Sequence, residues 1–188
     1  DTELVDFLVF LASRSEVNAR PFSQAQPRLH LRLDGGARLA ATAWVTPRPC
    51  VVIRRHRLVS VTLDDLVARG TLTPVAASFL AAAVRGRRSI VVAGAQGAGK
   101  TTRVRGLCEQ TPPHEPIGTF ETEYELGLHE LPDQHPVVVA WEARPGSGER
   151  GPDGSHAGEF TLSQALYDSF RFNLSRQIVG EVRGHEIL

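Results

Sequence analysis

The sequence predicts an α/β fold preceded by a smaller α+β region, and three observations carry that expectation. From Ser89 onward, short apolar runs of strand length alternate with helical segments, the pattern of an α/β sheet. One run, Ile90-Val91-Val92-Ala93, is aliphatic throughout, as a strand buried on both faces would be, and it leads straight into a glycine loop. Before residue 60, alternating strand patterns and turn residues dominate instead. The division expected is a small α+β domain over 1–60 and an α/β domain over 61–188, with linker helices at 62–86.

Taken in order, residues 3–13 place Leu4, Phe7, Leu8 and Leu11 at helical spacing and predict a short amphipathic helix. Leu29, Leu31 and Leu33 alternate with His30 and Arg32, which predicts a strand. Asp34-Gly35-Gly36 supplies turn chemistry, and Ala37–Val45 reads as the return strand of a hairpin. Val51-Val52-Ile53-Arg54 completes a small sheet after the Pro47/Pro49 break. Thr62 caps a helix with Asp64 and Asp65 in its first turn and Gly70 at its end; Thr73-Pro74 starts a second that stops at Gly86. After the glycine loop come a helix at Thr101–Gln110, strands at Ile117–Phe120 and Val137–Trp141, and a Gly/Pro/Ser-rich loop at Pro145–Gly158. A helix at Leu162–Phe172 and a strand at Gln177–Val182 follow.

Composition narrows the function classes. Lys+Arg and Asp+Glu are both 21, so no net basic field argues for nucleic acid or an anionic membrane. Lys100 is the only lysine, and every other cation among the Lys+Arg set is arginine. Cys50 and Cys108 are too few and too far apart for a disulfide framework or zinc site, and both read as small apolar fillers. The histidines (His30, His56, His114, His129, His135, His156 and His185) show no metal-ligand spacing, and Trp44 and Trp141 read as core. The longest aliphatic stretches are far too short to span a bilayer, and the expectation is a soluble, cytoplasmic protein. The lack of methionine and the end just past a motif predict a fragment.

The chemistry lies in Gly94-Ala95-Gln96-Gly97-Ala98-Gly99-Lys100-Thr101, which fits the phosphate-loop pattern G-x-x-x-x-G-K-[ST]. Glycines let successive N–H groups converge on one anion, and the following helix adds the positive end of its dipole. Lys100 is placed to reach the β- and γ-phosphates, the Thr101 hydroxyl to bind Mg²⁺, and Thr102 to continue the binding turn. With no second lysine for a guanine-reading motif, ATP is expected rather than GTP. Hydrolysis also needs carboxylates near magnesium and the attacking water. Glu121 and Glu181 each follow an apolar strand, the latter in the form of a Walker B element, while Glu123 reads as a solvated loop charge.

Together these residues resemble the type II/type IV secretion ATPase superfamily, particularly pilus-assembly ATPases of the tight-adherence type. The resemblance rests on Asp34–Leu39, Val52-Ile53-Arg54-Arg55, Thr62–Gly70, the phosphate loop, the acidic box at Thr119–Leu126 and Ile178–Glu186. It implies a RecA-like P-loop core, incomplete at its C-terminus, within a hexameric ring that hydrolyses ATP with Mg²⁺. It implies work in secretion or pilus assembly beside inner-membrane platform proteins, with the ring peripheral at the inner face of the cell membrane. Two other classes stay open: a nucleotide-binding ring component with little turnover, and a conjugation-type DNA motor. By the same resemblance Glu121 activates water, Glu181 is the Walker B carboxylate at the metal, and Arg38, Arg54 and Arg55 approach the phosphates. Arg144 and Arg183 are further candidates for sensing or inter-subunit contact. The chain departs from the pattern at Thr122 and Ser175, where relatives carry aspartate, and in lacking the histidine box expected after Leu188.

Overall fold

The structure is a computed structural model that describes residues 1–14, 22–33, 37–54, 60–144, 146 and 156–181. The chain divides into two units, Asp1–Arg57 and Leu58–Leu188.

In the first unit, helix α1 (Thr2–Arg14) packs on an antiparallel sheet of order β1-β2-β3: Arg28–Arg32, Arg38–Thr42 and Cys50–Arg54. Alternation sends Leu29, Leu31, Leu39 and Ala41 into the core, where they meet Leu8 and Ala12 of α1. Phe7 differs from expectation, since it is 55% exposed. The buried stripe is centred on Leu4, Val5, Leu8, Leu11 and Ala12, and Phe7 sits at its edge on the helical wheel. Strand β3 is exposed along its whole length, so Cys50 is a surface thiol rather than a core filler. Trp44 lies past the end of β2 with φ at +64°, packs its ring 4.9 Å from Phe22, and stays 40% exposed. It is therefore a cover on the hairpin edge rather than core. The expected Asp34–Gly36 turn lies outside the described residues.

The second unit opens with α2 (Leu63–Ala68) and α3 (Pro74–Arg85), each capped as its sequence predicts. Thr62 and Asp65 form a reciprocal capping box; Thr73 accepts the Ala76 amide, with Pro74 in the first turn and Gly86 at the end. Helix α4 (Lys100–Cys108) follows the glycine loop. The parallel sheet has order β5-β4-β6: Val138–Glu142, Ile117–Glu121 and Arg176–Val179. β4 is buried at every position, as a central strand covered on both faces must be. Phe120 stacks on Trp141 with centroids 4.9 Å apart, and α5 (Leu162–Ser169) closes over them through Leu162 and Ala165. Cys108 is buried in the adjoining cluster with Ile117, Leu126 and Leu128. A 3₁₀ turn at Leu128–Glu130, which the sequence pattern did not announce, carries Leu128 into that cluster.

One expected strand does not form. Ile90–Ala93 joins no ladder, and Val91 is 90% exposed. The composition suits a buried strand, but a strand also needs a hydrogen-bonded neighbour, and this run pairs with neither β5 nor β6. Only Val92 reaches the cluster of Leu63, Leu66, Ala77, Val84 and Leu107.

Candidate nucleotide-binding site

The glycine loop turns as its sequence requires. Gly97 and Gly99 have φ of +77° and +79°, a region that residues with a Cβ avoid, and Gly99 is the cap from which α4 starts. A tight turn, Ala98 N–H to Ala95 O at 3.2 Å, shapes the middle. Lys100 folds back over the loop and donates to the carbonyls of Gly94 and Ala95, both at 2.8 Å. The segment from Gly94 to Gly99 is exposed, so none of the described residues of this unit covers it. Thr102 follows, half-buried, in the first turn of α4.

The parallel strands deliver acids to one edge of the sheet. Glu121 and Glu142 end β4 and β5 in direct register, and Glu181 follows β6 by two residues. In open parallel sheets, ligands bind outside these carboxyl ends. The acids have different surroundings. Glu121 is 2% exposed, and its carboxylate accepts the amides of Glu125 and Leu126. Glu125, four residues on, accepts the Thr101 hydroxyl at Oε2 across 3.1 Å. Glu181 is half-buried beyond Gly180. Spacing alone had favoured Glu121 because it ends the strand; only the fold shows that the chain then turns and brings Glu125 to α4.

The type II/IV secretion system protein family matches residues 11–188. This chain belongs to that family. Among relatives of the secretion family, a Mycobacterium tuberculosis protein named for conjugal transfer is 33% identical over 143 residues, 76% of this chain and 38% of that protein. Type IV secretion system protein VirB11 of Brucella suis is 29% identical over 192 residues, 87% of this chain and 50% of VirB11. A crystal structure of the Brucella suis VirB11 ATPase in complex with sulphate aligns with 25% identity and a TM-score of 0.47, over 97% of this chain and 58% of that one. The chain thus spans half or less of these two curated relatives, at 50% and 38%.

Membership of the secretion ATPase family implies nucleotide binding, and Gly94–Thr101 carries the phosphate-loop pattern. Of the arginines singled out from the sequence, Arg38 and Arg54 lie in the first unit. Arg38 and Arg54 are direct partners across β2 and β3, and Arg32 opposes Arg38 across β1 and β2. Directly opposed residues of an antiparallel pair share a face, so three guanidinium groups line one end of the sheet. Arg55, Arg183 and His185 lie outside the described residues. Arg144 is held locally, donating to the Gly158 carbonyl at 2.6 Å.

Among the described residues no group of three or more His, Cys, Asp or Glu side chains is arranged to hold a metal ion. A magnesium ion arriving with nucleotide needs less from the protein, because the phosphates supply most of its oxygens. The Thr101 hydroxyl, oriented by its hydrogen bond to the Glu125 carboxylate, is a hard oxygen donor that fits such an ion.

Proposed function

We propose that the chain is an ATP-binding and hydrolysing motor subunit that powers bacterial secretion or pilus assembly. The observation that carries this reading is the Thr101–Glu125 contact, which sets a carboxylate beside the hydroxyl of the phosphate loop. In this account the loop amides and Lys100 hold the β- and γ-phosphates, Lys100 leaving its two loop carbonyls to do so. Thr101 and Glu181 would hold magnesium, which would neutralise charge on the phosphates. Glu125 takes the water-orienting role that the resemblance implies for Glu121. Arg38, Arg54 and Arg55 offer guanidinium groups to charge developing on the transferred phosphoryl group. We assign the core a RecA-like arrangement, the assembly a hexameric ring of the pilus-assembly type, and the site of action the cytoplasmic side of the inner membrane. No helix among the described residues is long and apolar enough to cross a membrane.

A fluorescent ATP analogue and a phosphate-release assay test this reading. Lys100→Ala is expected to lose analogue binding by at least about tenfold, and Glu125→Gln to keep binding while losing turnover by about a hundredfold or more. Binding without phosphate release by the unsubstituted chain would identify a structural ring component instead. A second reading, a DNA-transfer motor, is favoured by the relative named for conjugal transfer. DNA affinity falling steeply with salt would support it, and no DNA binding would count against it.

A further inference from the structure

The turn after β4 is gripped from two sides. Three consecutive amides are donated to carboxylates: Tyr124 N–H to Glu142 Oε1 at 3.0 Å, and Glu125 and Leu126 N–H to Glu121. On the opposite side, the Arg105 guanidinium donates to the carbonyls of Glu125 and Leu126. The Tyr124 hydroxyl ties the same turn to the Ala140 carbonyl at 3.1 Å. Thr101 and Arg105 are four apart on α4, so they share one helix face. That face therefore meets Glu125 twice, through Thr101 at its carboxylate and through Arg105 at its main chain. A carboxylate as buried as Glu121 is costly unless its oxygens are satisfied, and here the satisfying donors are the amides of the turn itself.

We propose that Arg105, together with Glu121, is a positioning residue that fixes the Glu125 carboxylate against Thr101; this rests on the hydrolytic reading of the site given above. Arg105 meets this turn through main-chain carbonyls. It holds the backbone from which Glu125 projects, so that only the side-chain torsions of Glu125 remain to be set on nucleotide arrival. A shift of about 1 Å in such a group is enough to cost on the order of a hundredfold in rate.

The test is a double-mutant cycle on the full chain with Arg105→Ala, Glu125→Gln and the pair, read by single-turnover phosphate release. Arg105→Ala leaves most of the fold's contacts in place, whereas Glu121→Gln alters a buried group, so the arginine is the variant of choice. The expected result is a kcat lower by about tenfold or more with KM for ATP changed less than about threefold. In the Glu125→Gln background, removing Arg105 is expected to cost nothing further. Hydrogen exchange without nucleotide supplies an independent readout: in Arg105→Ala the amides of Glu125 and Leu126 exchange faster while those of Gly118–Phe120 do not change. Additive losses, a loss confined to KM, unchanged kcat, or unchanged exchange at Glu125 and Leu126 would each overturn the positioning role. If the unsubstituted chain binds ATP but releases no phosphate, the hydrolytic reading falls and takes this proposal with it.

Discussion

Glu121 and Glu125 are four residues apart, and their environments divide their tasks. The strand-ending glutamate is packed against main chain, while the later one is the acid that meets the phosphate-loop threonine. Gly180 makes the first arrangement possible. A Cβ added there would lie 2.9 Å from Glu121 Cγ and 3.4 Å from the Phe120 carbonyl, so glycine is needed for close approach. Gly180→Ala is expected to push Glu121 off its amides, lowering stability by about 1–3 kcal/mol and turnover along with it. Thermal unfolding beside phosphate release checks this, and an unchanged melting temperature would refute it. At this scale the sequence was legible where chemistry is local. The phosphate loop is one continuous segment whose spacing encodes its own geometry. Which glutamate faces that loop was not legible, because it depends on the turn after β4 and on Arg105 and Glu142, which are distant in sequence.

Elements set by their own ends were readable for the same reason. Thr62 with Asp65 and Thr73 with Pro74 each satisfy helix-end amides from within three residues. The hairpin of β1 and β2 followed from alternation together with the turn chemistry of Asp34-Gly35-Gly36 between the strands. Ile90–Ala93 failed as a strand because ladder pairing is a property of neighbours, not of composition. A physical consequence follows for local stability. Amides of Val91–Ala93 lack ladder partners, whereas Gly118–Phe120 lie between two parallel strands at buried positions. Native-state hydrogen exchange is expected to be fast in the first segment and slow in the second, by several orders of magnitude. Equal protection would show that the phosphate-loop approach is paired in solution.

For the molecule as a whole, the second unit is tied by a charged cluster unrelated to the phosphate loop. Glu115, just before β4, accepts Arg176 of β6 at 2.6 Å and Arg87, after α3, at 3.0 Å. Arg176 also donates to the Val84 carbonyl at the end of α3. The Glu115 side chain is 6% exposed and that of Arg176 12%, so removing the acid would strand a largely buried cation. The hydrogen bond from Arg176, reinforced by that from Arg87, holds the Glu115 carboxyl below its ordinary value of 4.5. The folded chain therefore binds this proton less readily than the unfolded chain. Stability from the cluster is complete above the unfolded value and is lost as pH falls through the lower folded one. His135 acts in the same direction from a higher starting point, because burial holds its imidazole below the ordinary 6.5. Its contribution begins to fall once pH drops under that value, as the unfolded chain takes up the proton first. Glu115→Ala is expected to cost about 3 kcal/mol or more near neutrality and to flatten the decline of Tm below pH 4.5. The decline beginning near 6.5 should remain, since His135 is untouched. Thermal unfolding followed by circular dichroism from neutral to acid pH separates the two windows. If variant and parent lose Tm in parallel below the lower one, the cluster is not what acid breaks.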